Sequence, residues 1–131
     1  MIGILVISHE PLGTALISCT RHIYGRLPPQ LAALDVIPDE DTAEASVAAR
    51  QLYARISDGS GVLVLTDIYG ATPSRIAAKF ADPYRCVVIA GANLPMLLKA
   101  INYRKGRDLE ELADLIMPAA KEAIMPITES T

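Results

Sequence analysis

A chain of 131 residues that is 51% hydrophobic can bury the core of one domain, residues 1–131, and nothing in its length asks for a second. Its net charge of −3 and pI near 5.3, with basic residues scattered along the sequence, exclude the basic stripe that nucleic acid or an anionic membrane requires. No apolar run approaches the ~20 residues that span a bilayer, and the N-terminal run lacks a signal peptide's basic flank.

Four short runs rich in Val, Ile and Leu, at residues 2–7, 31–37, 62–66 and 86–90, predict parallel strands buried on both faces. The segments between them have helical period. Leu12, Leu16, Cys19 and Ile23 form one stripe, and Ala45, Ala49, Leu52 and Ile56 another. Gly25 and the Pro28-Pro29 pair close the first helix; residues 38–41 open the second and residues 58–61 close it. A last amphipathic segment carries Leu109, Leu112, Ile116, Ala119 and Ala123, with Pro118 expected to kink or split it. Residues 123–128 read as a short edge strand. Alternating strands and crossover helices predict an α/β fold, a three-layer doubly wound, mostly parallel sheet with helices on both faces. Cys19 and Cys86, far apart and outside any CxxC spacing, read as buried free thiols in a reducing compartment. His22, in the last turn of the first helix, is a structural cation.

In such sheets function gathers beyond the C-terminal strand ends. Three loops should meet there: Ser8-His9-Glu10-Pro11, the segment from Asp67 through Tyr69 and Thr72 to Ser74, and the segment from Gly91 through Asn93 to Met96. With strand order 2-1-3-4, His9 and Asp67 leave equivalent ends of neighbouring strands. A carboxylate on one ring nitrogen fixes the tautomer and leaves the other as a nucleophilic lone pair. Thr72 as N-cap and Pro73 at the first helical position would start a helix to about residue 81, with its free N–H groups facing the same crevice. Taken singly, His9 is a loop residue, Asp67 a turn cap and Asn93-Leu94-Pro95 a turn; together they describe a phosphoryl acceptor. Tyr69 and Met96 either pack inward or stand out as apolar contacts for a partner. No nucleotide loop is present. His9, Glu10 and Asp67 lack the second nitrogen donor and the spacing of a metal site, so neither metal nor cofactor is expected.

The three loops in this order resemble the mannose-family IIA component of the bacterial phosphoenolpyruvate-dependent sugar phosphotransferase system, over essentially the whole chain. The resemblance implies that His9 accepts a phosphoryl group from the phosphocarrier HPr or a paralogue, at the ring nitrogen not bonded to Asp67. It implies Thr72, with Ser74, beside that group, and Glu10, Leu12, Tyr69, Asn93 and Met96 as partner contacts. Delivery to a IIB protein follows, with IIC and IID partners as the only link to a membrane. A cytoplasmic homodimer is implied, in which residues 123–128 pair with the partner's sheet. Family members often carry Gly after the histidine, where this chain has Glu10-Pro11, a carboxylate that should disfavour a dianionic neighbour. Other readings are a stand-alone regulatory phosphorylation sensor, the phosphoryl-donor subunit of dihydroxyacetone kinase, and a flavodoxin-like small-molecule binder without phosphorylation.

Overall fold

The computed structural model describes residues 1–131. Four parallel strands, β1 (Gly3–His9), β2 (Leu31–Val36), β3 (Val62–Thr66) and β4 (Cys86–Ala90), lie in the order β2-β1-β3-β4. The expected doubly wound sheet is therefore present. Its middle strands are hydrophobic on both sides because both sides are covered: every residue of β3 is buried, as are Gly3 to Ser8 of β1.

Alternation along the strands divides the core in two. Ile4, Val6, Leu63 and Leu65 face one layer, formed by α1 (Leu12–Tyr24), α4 (Leu94–Tyr103) and α5 (Leu109–Glu122). Leu5, Ile7, Val62 and Val64 face the other, formed by α2 (Thr42–Ile56) and α3 (Thr72–Ala78). Ala45, Ala49 and Ile56 seat α2 as its period predicts, and Leu109, Leu112 and Ile116 seat α5.

Helix α1 turns a different face inward from the one its Leu12–Ile23 stripe predicts. Gly13, Leu16 and Thr20 are buried, whereas Cys19 and Ile23 are exposed. The cause is Gly13. A Cβ there would stand 2.8 Å from Asp35 Oδ1 and 2.9 Å from Ser8 Oγ, so only glycine allows this approach. The Thr14 N–H then donates to Asp35 Oδ1 at 3.0 Å and fixes the start of the helix. Cys86 is buried as expected; Cys19 is not.

Two other expectations are corrected. Helix α5 is not split at Pro118, because buried Ile116 and Ala120 hold it in the core on both sides of the lost hydrogen bond. Residues 123–128 form no strand in the single chain, and Ile124, Met125 and Ile127 are exposed. No helix is long and apolar enough to cross a membrane.

Candidate functional site

Pairing of β1 with β3 sets Ile7 opposite Thr66, so the next residues of both strands leave the sheet side by side. Asp67 Oδ2 accepts from the His9 N–H at 3.0 Å and from His9 Nδ1 at 2.7 Å; Oδ1 accepts from the Ile68 N–H at 3.0 Å. An ionised carboxylate only accepts, so Nδ1 carries a proton and Nε2 is the ring nitrogen that faces away from Asp67. The His9 side chain is 50% exposed and that of Asp67 only 9%. Burial pushes the Asp67 carboxyl up, but the His9 N–H, the His9 ring and the Ile68 N–H outweigh it, and the net shift is downward. Asp67 is thus a fixed anion that orients a half-exposed imidazole.

Next to this pair the Glu10 N–H donates to the Val36 carbonyl at 3.0 Å, tying the loop after His9 to the end of β2. His9, Glu10, Asp39, Glu40, Thr42 and Thr72 share the lining of a cavity of about 440 Å³. Its far wall is the turn at residues 37–40. There the Glu40 N–H donates to the Ile37 carbonyl at 3.3 Å, the Ile37 N–H donates to Glu40 Oε2 at 3.2 Å, and Asp39 takes φ +60°.

Thr72 lines this cavity from the opposite loop. Ala71, not Thr72, is the N-cap of α3; Thr72 is its first residue and Pro73 its second. The helix also ends at Ala78 rather than near residue 81, since Lys79, Phe80 and Ala81 turn through i to i+3 bonds instead. Ser74 is occupied within its own loop: Oγ donates to the Ala71 carbonyl at 2.7 Å and accepts from the Gly70 N–H at 2.9 Å. It lines a different cavity, with Tyr69, Arg75 and Thr66.

The sequence offered no role for Arg75. Its guanidinium donates to the Gly70 carbonyl at 2.8 Å and to Thr72 Oγ1 at 3.3 Å, which leaves the Thr72 hydroxyl proton free to point elsewhere. Spacing alone could have suggested this bond, since Thr72 and Arg75 are three residues apart on one helix face.

The expected partner contacts divide. Tyr69 is 90% exposed beside the site, Glu10 is exposed and Leu12 is half-buried against the core. Asn93 is the N-cap of α4, its Oδ1 accepting from the Met96 N–H at 2.9 Å. Met96 is 4% exposed and belongs to the core, so it presents no surface to a partner. No group of three or more His, Cys, Asp or Glu residues could hold a metal.

Fold and site together define a doubly wound α/β domain presenting one imidazole oriented by a carboxylate. Residues 3–117 match the family described as the PTS system fructose IIA component, of the mannose type. The chain is 28% identical over 130 residues to the fructose-specific EIIA component of Bacillus subtilis, covering 98% of this chain and 88% of that one. It superimposes with a TM-score of 0.81 on the crystal structure of the EIIA component from Streptococcus agalactiae, at 25% identity, covering 96% and 97% of the two chains. The mannose/sorbose-specific IIA subunit from Enterococcus faecalis has the same fold, with a TM-score of 0.78 at 22% identity and coverage of 97% and 95%. The chain belongs to the mannose-type IIA family of the sugar phosphotransferase system.

Proposed function

We propose that the protein is a phosphoryl carrier in which His9 Nε2 takes the group from phospho-HPr, or a paralogue, and hands it to a IIB protein during sugar uptake. The observation that carries this reading is the 2.7 Å bond between His9 Nδ1 and Asp67, which orients a half-exposed ring so that Nε2 is the nitrogen left for the phosphoryl group. The Nε2 lone pair attacks the phosphorus of the donor's phosphohistidine. The new N–P bond forms as the donor's breaks, and the bonding pair returns to the donor imidazole. Asp67 stabilises the positive charge that develops on the His9 ring, and the Thr72 hydroxyl donates to a phosphoryl oxygen. Positioning and electrostatics do most of this work, since phosphoryl transfer asks little covalent chemistry of the protein.

The setting we assign is the cytoplasm, with the membrane reached only through IIC and IID partners. We also assign a homodimer, which the unpaired edge of β4 and the exposed Ile124, Met125 and Ile127 support. Incubation with phosphoenolpyruvate, enzyme I and HPr should add one acid-labile phosphoryl group, visible as a mass increase. His9→Ala should abolish the gain. A gain that survives this substitution, or none in the wild type, removes His9 from the role.

A further inference from the structure

Resting on the assignment of His9 as the phosphoryl carrier, we infer that Glu10 tunes how tightly the phosphoryl group is held. Its carboxylate raises the free energy of phospho-His9, so the carrier holds less of the group at equilibrium and releases it more readily to either partner. The cavity beside His9 carries the carboxylates of Glu10, Asp39 and Glu40 and no lysine or arginine. The Glu40 carboxylate is held in its turn by the Ile37 N–H, and the Glu10 backbone is tied to the end of β2 through Val36, which fixes where the Glu10 side chain starts. Arg75, the guanidinium that touches Thr72, is committed to the Gly70 carbonyl and lies outside the cavity lining.

A phosphoryl group on His9 brings a charge of about −1.5 to −2 into the cavity that Glu10 also lines. Glu10 is exposed, so water screens the repulsion and the effect is several-fold rather than many orders of magnitude. The unphosphorylated histidine feels no comparable repulsion. The penalty therefore falls on the phosphorylated form alone and lowers its share at equilibrium.

The test is the equilibrium between this protein and phospho-HPr at a fixed ratio of phospho-HPr to HPr, read as the fraction of phospho-His9 by intact mass at low salt. Glu10→Gln should retain about threefold to tenfold more phosphoryl group than the wild type. Glu10→Asp, which restores the charge, should return close to wild type. Raising the salt to about 0.5 M should shrink the gap, because the Debye length falls to about 4 Å and exposed charges are screened. Equal occupancy in wild type and Glu10→Gln overturns the inference, as does a gap indifferent to salt or one that Glu10→Asp fails to close. Failure of every variant to take up the group instead overturns the assignment of His9 and takes this inference with it.

Discussion

At the C-terminal end of the sheet Asp67 collects three N–H donations and leaves one ring nitrogen, His9 Nε2, unpaired and accessible. At the N-terminal end Arg104 is 2% exposed and donates to the carbonyls of Ile2, Pro29 and Gln30. The adjoining cavities are opposite in charge. The one at His9 has three carboxylates and no lysine or arginine, while one of about 370 Å³ at the other end has Arg26, Arg104 and Lys105 and no carboxylate side chain. Residues that look scattered in the sequence are gathered by the fold beside the ends of α1 and α4, where cations complement the helix dipoles. The end proposed for chemistry leaves one ring nitrogen without a partner, whereas at the other end Arg104 commits its charge to fixed carbonyls.

The comparison can be broken at either end. Arg104→Met should cost about 2–3 kcal/mol in chemical denaturation, because the Ile2 and Pro29 carbonyls lose the guanidinium as donor, while that of Gln30 keeps the Ile4 N–H. His9 should still accept the phosphoryl group in the folded fraction. A loss below about 1 kcal/mol would show that Arg104 does not clamp the strand starts. Asp67→Ala should instead slow phosphorylation by about a hundredfold or more in single-turnover labelling, with the fold retained. An unchanged rate would take Asp67 out of the mechanism. The same variant has a pH signature. The folded-state pKa of Asp67 is lowered, so its stabilising contribution is complete above the unfolded carboxyl value and fades as pH falls through the folded one. The stability gap between wild type and Asp67→Ala should therefore narrow in acid.

What was legible in the sequence follows from the range of each interaction. The strands at residues 62–66 and 86–90 coincide with their apolar runs because burial on both faces writes an uninterrupted signal. His9 and Asp67 could be paired because strand order makes their ends neighbours. Helix α1 admits two stripes that share Leu16, and periodicity cannot choose between them; the choice rests on how closely Gly13 approaches Ser8 and Asp35. Met96 follows a loop that reads as functional, yet α4 places it inside. Arg104 was invisible because its acceptors lie 74 to 102 residues away in the chain.

The smallest expected effect separates the two thiols and reports on the packing that joins both ends. Burial pushes the Cys86 thiol up to about 11, against the opposing pull of its contact with Tyr53, so almost none of it is thiolate near neutrality. Cys19 stands on the outer face of α1, reachable from solvent. Iodoacetamide at pH 8 should therefore modify one thiol in the native protein, Cys19, and reach Cys86 only after denaturant is added, as peptide mapping can show. Labelling Cys19 should leave phosphorylation of His9 unchanged, since the inner face of α1, carrying Gly13, Leu16 and Thr20, holds the helix against the sheet. Equal modification of both thiols in the native state would mean that the start of β4 opens readily. Protection of Cys19 would mean that another surface, such as a second copy of the chain, covers the apolar stripe that α1 turns outward.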